Sequence, residues 1–273
     1  VIYELHVRGF SKLNESVPEA LRGTYAGLAH PASIAYLQSL GVDTIELLPL
    51  ALSVDEPFLV ERGLTNYWAY NPASLFAVNP RYAMNPDQAA AELKDAIASL
   101  KQAGIDVIVD VVLNHTGEGD EEGATFCWKG LDNAAYYHLS SDPNAVYANH
   151  SGCGNALNLS HPRVLQWVAD ALRYWVTALG VDGFRFDLAA TLGRNQHGFD
   201  RAHPFFCLLQ QDPVLKHAIL IAEPWDVGPS GYQLGAFPAP LSEWNDQFRD
   251  SVRRFWRCDS GVLADFAKAL HGS

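Results

Sequence analysis

One hydrophobic pattern recurs three times along the chain. A stretch with apolar residues at helical spacing ends in glycine, an aliphatic residue and an aspartate follow, and an apolar run comes next. The instances are Gly41-Val42-Asp43 before residues 44–50, Gly104-Ile105-Asp106 before 107–113, and Gly180-Val181-Asp182 before 183–188. Each glycine sits where a helix C-terminus calls for a left-handed residue. Ahead of the third, Val164, Trp167, Val168, Ala171, Leu172, Trp175, Val176 and Leu179 keep the i, i+3, i+4 spacing of a single helix. Ahead of the second, Leu93, Ile97 and Leu100 do so more briefly. There Asn85-Pro86-Asp87 offers a cap with proline at the first helical position. The runs after each aspartate are apolar throughout rather than alternating, as in parallel strands covered on both faces.

Helix-then-strand units in series predict an α/β fold with a parallel sheet. Six candidate strands can be counted, at 1–7, 44–50, 107–113, 183–188, 218–223 and, more weakly, 241–245. An open doubly wound sheet calls for a glycine-rich phosphate loop after its first strand, and no G-x-G-x-x-G or P-loop occurs. A closed barrel instead puts reactive side chains at the C-terminal ends of several strands. Asp110, Asn114 and His115 lie at the end of one strand, Arg185 and Asp187 at another, and Glu223 at a third. The expectation is therefore a TIM (β/α)8-type barrel, incomplete, with about six of the eight strands. Segments 51–85 and 116–160 are weakly periodic and rich in Gly, Asn, His and aromatics. They read as long inserted loops after strands 2 and 3, hanging over the reactive face. Position 1 is Val, and an apolar run begins at once. Residues 1–273 thus read as one partial catalytic-barrel domain of a longer protein.

Composition narrows the partners. The 273 residues are 48% hydrophobic and 18% charged, which supports a sizeable core and excludes a disordered chain or a small disulfide scaffold. A net charge of −12 argues against nucleic acid and against anionic membrane surfaces. No apolar run approaches the ~20 residues that span a bilayer. Seven Trp and eleven Tyr serve mainly as packing, but such faces also stack on neutral rings such as sugars. Cys127, Cys153, Cys207 and Cys258 form no C-x-x-C pair, so neither zinc nor redox chemistry is signalled and free thiols in the cytoplasm are expected.

The strand-end carboxylates suggest a chemistry. Glycoside hydrolysis uses two, one to protonate the leaving oxygen and one to attack the sugar carbon or activate water. Arg185 lies two residues before Asp187, on the same face of an extended strand, and would hold that acid ionised as a nucleophile requires. It should reach Asp187 or Asp110. Glu223 follows an apolar strand, a setting that raises a carboxyl pKa and favours proton donation. A retaining pair would face each other at roughly 5–6 Å. A competing use of His115, Asp187 and Glu223 is as ligands of a divalent ion, although no second strand-end histidine supports it.

The motifs carry a more specific resemblance. Asp110-Val-Val-Leu-Asn114-His115, Gly183-Phe-Arg185-Phe-Asp187-Leu-Ala189 and Ala222-Glu223-Pro-Trp225-Asp226 resemble, in order and spacing, three regions of the alpha-amylase family of glycoside hydrolases. Further stretches resemble its isoamylase-type glycogen-debranching branch. These are residues 1–10, Asn66-Tyr-Trp-Ala-Tyr70-Asn71-Pro72, Gly152-Cys-Gly-Asn155-Ala-Leu-Asn158 and Trp244-Asn-Asp-Gln-Phe-Arg249-Asp250.

The resemblance implies a retaining enzyme that cleaves α-1,6 branch points of glycogen or limit dextrin. Asp187 would be its nucleophile and Glu223 its general acid/base. Tyr70, His115, Arg185, Asp110 and Trp225 would contact substrate or order the site. Asn114 matches a calcium position in some amylases, and no metal or cofactor is assigned. Branched α-glucan is the implied partner, the cytoplasm the implied location, and no motif speaks to oligomeric state. Other readings stay open: a pullulanase, a branching enzyme, a maltooligosyltrehalose hydrolase, or a non-catalytic glucan-binding relative. The family's third acid, an Asp preceded by His, has no counterpart, since no His-Asp dipeptide occurs. An N-terminal carbohydrate-binding module and a C-terminal β-domain are likewise missing, so the chain on its own is expected to be inactive.

Overall fold

The structure is a computed structural model, and it describes residues 1–272. Six parallel strands form one sheet in chain order: β1 (Ile2–Leu5), β2 (Thr44–Leu47), β3 (Asp106–Val111), β4 (Gly183–Phe186), β5 (Ile219–Ala222) and β6 (Ser242–Glu243). Helices α1 (Pro31–Ser39), α2 (Ala89–Gln102), α3 (Pro162–Tyr174) and α4 (Pro204–Gln211) lie on the successive crossovers, and α5 (Asp246–Trp256) and α6 (Leu263–Leu270) follow β6. This is the expected incomplete TIM-type barrel. Among the described residues, β1 and β6 are its outer strands.

The repeated glycines do what their positions demand. Gly41, Gly104 and Gly180 have φ of 70°, 78° and 87°, a region that a Cβ disfavours. The aliphatic residue after each is buried, and the aspartate then starts the ladder: the Asp106 N–H donates to the Asp43 carbonyl at 2.9 Å and the Asp182 N–H to the Val107 carbonyl at 2.7 Å. The Asp182 carboxylate also accepts from the Val107 N–H and from Lys101, which fastens the end of α2 to the sheet. Asn85 does cap, its side chain accepting the Asp87 N–H, but it caps a short 3-10 turn, Pro86–Gln88, that leads into α2, while α2 itself follows Gln88 without a side-chain cap.

Several boundaries differ from the sequence reading, and the strands expected at 44–50 and 107–113 already end at Leu47 and Val111. The apolar run 1–7 is not all strand, because the His6 side chain accepts the Gly9 N–H and caps a short helix, Val7–Lys12. The helical pattern through Leu179 is not one α-helix either. After Tyr174 it widens into a π-helical turn, Trp175–Leu179, whose first carbonyl accepts from both Gly180 and Val181. There the Trp175 indole donates to the Leu75 carbonyl at 2.7 Å, tying an outer helix to the loop after β2. The strand near 241–245 shrinks to two residues. Segments 51–85 and 116–160 are largely irregular, as expected, although the second contains a helix at Trp128–Tyr136.

The two faces of each strand part company. On β4, Phe184 and Phe186 point outward and are fully buried against the helices, with Phe186 edge-on to Phe205 of α4. Leu93, Ile97 and Leu100 of α2 and Val168 and Leu172 of α3 complete that layer. The alternate residues, Gly183 and Arg185, face the barrel interior. A Cβ on Gly183 would sit 2.0 Å from the Ile219 carbonyl oxygen, so β4 and β5 approach more closely than any side chain there would allow.

Phe184→Ala should remove about 3–5 kcal/mol of stability by leaving a cavity between sheet and helices. Ile2→Ala on the outer strand β1, where the side chain is about half exposed, should stay within about 0.5 kcal/mol. Denaturant unfolding of the two variants tests this contrast.

Candidate active site

The outward packing sets the register, and the register delivers charge to one point. Asp110 on β3 lies directly opposite Arg185 on β4. One guanidinium nitrogen of Arg185 donates to both Asp110 oxygens at 2.9 Å and to the Asp187 carboxylate at 3.0 Å. The other lies 3.1 Å from the Glu223 carboxylate. The Trp244 ring covers the group, 4.2 Å from the guanidinium carbon. Burial alone would lower the Arg185 pKa, but Asp110, Glu223 and Asp187 outweigh it and raise it. The cation is permanent. Asp110 is fully buried, and its carboxyl is pushed up to about 7 by burial, against the pull of Arg185.

Asp187 lies one residue past β4. Its N–H donates to the Val111 carbonyl, and the Asn114 amide donates to its carboxylate at 2.8 Å and to its carbonyl at 2.9 Å. Next comes Leu188, a non-glycine residue at φ 41°. That turn aims the Leu188 N–H at the Glu223 carboxylate, 2.7 Å away, while the Ala189 N–H takes the Glu223 carbonyl. Phe186 pairs with Ala222, so Asp187 and Glu223 continue the same register one step on, across strands roughly 4.8 Å apart. Burial raises the Glu223 pKa. Arg185 opposes that rise, Asp187 adds to it, and the Leu188 N–H and Trp225 side chain oppose it more weakly.

The remaining sequence-chosen residues converge on the same point. Tyr70 donates its hydroxyl to the Asp110 carboxylate. His115 is buried, with Nε2 at 2.8 Å from the Tyr70 carbonyl and Nδ1 facing the Asn114 side-chain oxygen. Both ring nitrogens face protein oxygens, the one that carries the proton donating, and the ring fastens the Tyr70 segment to the end of β3. Trp225 is half-buried beside Glu223, whose carbonyl accepts its N–H. Among the described residues no group of three or more His, Cys, Asp and Glu side chains is placed to hold a metal. The four cysteines are free thiols.

Sequence reasoning missed two members of the cluster. Trp244 stands out in the sequence only within its motif, and its stacking on Arg185 needs the β5–β6 register to be seen. Glu46, a buried acid inside β2, was passed over within an apolar run. A charged residue in such a run was itself the available signal. Asn114 donates its amide to Asp187, a contact that sequence spacing alone does not announce.

Polar anchors, half-buried in the first loop and buried in the second, hold the loops over the site. The Asn66 side chain accepts the Ala69 N–H at 2.9 Å and donates to Glu56, stabilising Ala69 at φ 64° next to Tyr70. The Asn66 N–H donates to Asp55, which a two-pronged contact with Arg81 secures. In the second loop the Glu118 carboxylate accepts the N–H groups of Phe126, Cys127 and Lys129 and the Tyr137 hydroxyl.

Comparison with known proteins now decides the ancestry. The alpha amylase catalytic domain matches residues 10–204, well over half of the chain. The chain belongs to the alpha-amylase family. Within it, the chain is 52% identical over its whole length to a glycogen debranching enzyme of Klebsiella pneumoniae and 53% identical to that of Yersinia enterocolitica. It spans 41% of the length of each. A pullulanase from an Anoxybacillus species, solved with maltotriose, superposes on the entire chain with a TM-score of 0.80 at 27% identity, the match taking in 41% of that protein. A Bacillus acidopullulyticus pullulanase matches 92% of the chain with a TM-score of 0.73 and 30% identity, over 31% of its own length. Among the described residues of this amylase-family chain, no helix is long and apolar enough to cross a membrane.

Glu118 gives a test of how the second loop is held. Burial raises its pKa, but the Tyr137 hydroxyl and three backbone N–H groups outweigh burial and bring it below the ordinary glutamate value. A depressed acid stabilises above its unfolded pKa of ~4.3 and loses that contribution as pH falls through the folded value. Protection factors at Phe126, Cys127 and Lys129, with exchange corrected for its intrinsic pH dependence, should therefore fall on acidification below about pH 4. Glu118→Ala should lower them at neutral pH while leaving β4 amides protected.

Proposed function

We propose that residues 1–273 form part of the catalytic barrel of a retaining glycoside hydrolase that cleaves α-1,6 branch linkages in glycogen or limit dextrin. One observation carries the mechanism: Asp187 and Glu223 stand at the ends of adjacent parallel strands and share one buried guanidinium. Registered neighbours on adjacent strands fit the roughly 5–5.5 Å separation of retaining carboxyl pairs better than the wider spacing that admits a water between them. The substrate class is supported by the debranching relatives and by the pullulanase solved with maltotriose.

In this reading Glu223, its pKa raised by burial, gives its proton to the oxygen of the departing α-1,6 linkage. Asp187, held by Arg185 and Asn114, attacks the anomeric carbon from the opposite face and forms a glycosyl ester. Glu223, now ionised, takes a proton from water, and that water releases the sugar with its α configuration restored. Arg185 keeps both acids oriented without touching the sugar. Tyr70 presents its ring to the bound glucose while Asp110 fixes its hydroxyl, and Trp225 lines the leaving side. His115 acts by holding the Tyr70 segment, and a direct sugar contact through Nε2 requires exchange of its bond to the Tyr70 carbonyl. The site needs no cofactor for these steps, and a role in glycogen breakdown puts the protein in the cytoplasm.

The test uses the full-length protein with glycogen limit dextrin, following released linear chains and, by NMR, the anomer formed first. Retention predicts the α anomer, and β product would overturn the mechanism. Asp187→Asn should lower kcat by at least about 10⁴-fold. Glu223→Gln should lower it by about 10²–10⁴-fold, less for substrates with good leaving groups. A fully active Asp187→Asn enzyme would remove the nucleophile assignment.

A further inference from the structure

Glu46 lies inside the barrel, beneath the acid cluster. In register it follows Glu4 of β1 and precedes Ile108 of β3 and Gly183 of β4. Asp110 and Arg185 stand two residues higher on their strands, a rise of roughly 6.6 Å. Gly183 contributes no side chain to the space between. Glu46 is only 2% exposed, and its Oε1 is buried without a hydrogen-bond partner among the described residues.

The charges around it do not balance. Facing Glu46 are Glu4 on β1, Asp110 on β3, Arg185 on β4 and Glu223 on β5. The one cation among them is already shared by Asp110, Asp187 and Glu223. Each of those three also has a donor of its own, from Tyr70, Asn114 and the Leu188 N–H respectively. Glu46 has no ion pair to Arg185. Four carboxylates around one guanidinium in a low-dielectric interior cannot all ionise. The acid with the fewest donors keeps its proton to the highest pH.

We propose that Glu46 is a positioning residue that stays neutral, leaving Arg185 wholly to the three acids above it. Once ionised, it would compete with them for the guanidinium. Burial pushes its carboxyl up to about 8, with Asp110 adding to the rise and Arg185 opposing it. The rival arrangement is an ionised Glu46 bound to Arg185 through Nε, which is also buried without a partner.

The sign of the linkage separates the two. An acid whose pKa is raised on folding binds more protons in the native state, so its stabilising contribution falls as pH climbs from the unfolded value, ~4.3, to the folded one. Glu46→Gln mimics the neutral acid and removes that loss. In the full-length protein its Tm should match wild type below about pH 4, exceed it increasingly up to about pH 8 and run parallel above. The infrared difference spectrum, wild type minus variant, should show at pH 7 the C=O stretch of a protonated carboxyl that disappears above pH 8. Both readouts are independent of glucan cleavage, so they stand or fall apart from the proposed reaction. A Glu46→Gln protein whose Tm drops below wild type as pH rises would establish the ionised pair and overturn the proposal. If Glu46→Gln does not accumulate, the near-isosteric Glu46→Met takes its place in the same difference spectrum: a carboxylic band lost with the Glu46 side chain and bleaching near pH 8 supports the neutral acid, and no such band between pH 6 and 9 refutes it.

Discussion

The site depends on a single buried cation. Arg185 meets Asp110 from the neighbouring strand, Asp187 from the end of its own and Glu223 from the strand beyond. Stranding a buried charge by removing one partner costs about 3–5 kcal/mol, comparable to much of a domain's net stability. Three strand ends are thereby coupled: none can shift without exposing a charge to a medium that cannot solvate it. The guanidinium suits this task because its planar fork offers separate donors to separate acids, which an ammonium does not. Its placement rests on apolar packing elsewhere. Phe184 and Phe186 commit β4 to one orientation against the helices, and alternation along the strand then turns Arg185 inward.

The loops follow a different rule. Segments 51–85 and 116–160 are too long to be ordered by short turns and too irregular to present an apolar stripe to the core. They are ordered by buried or half-buried carboxylates and amides that gather backbone N–H groups which no strand or helix satisfies. Glu118 takes three such groups and a tyrosine hydroxyl, and Asn66 and Asp55 do the same on a smaller scale beside Tyr70. The positive φ of Ala69 is maintained by this network, and strain of that kind is usual beside functional side chains.

The architecture was largely legible in the sequence because the glycine-aliphatic-aspartate repeat is local: a left-handed helix end, a buried anchor and a strand start all lie within a few residues. The strand-end acids were legible for the same reason, since a barrel dictates where reactive groups must stand. Boundaries were less so. Nothing local announces that the His6 side chain captures the Gly9 N–H, or that Trp175 finds the Leu75 carbonyl a hundred positions away and loosens the last turn of its helix. The environment of Glu46 was hidden most deeply. Its neighbours come from four strands scattered over the chain, and only the assembled register brings them together.

Gly183 separates two kinds of change open to this fold. The loops can lengthen, shorten or exchange aromatic residues and so present new surfaces to a polymer, leaving the pair of acids as it was. Position 183 has no such latitude. Its backbone rests against that of Ile219 with no room for a methyl group, so the spacing between the strand that bears Asp187 and the strand that bears Glu223 is set by contact between main chains. A lineage can therefore retune what it grips many times over while inheriting one unvarying gauge for the bond it breaks.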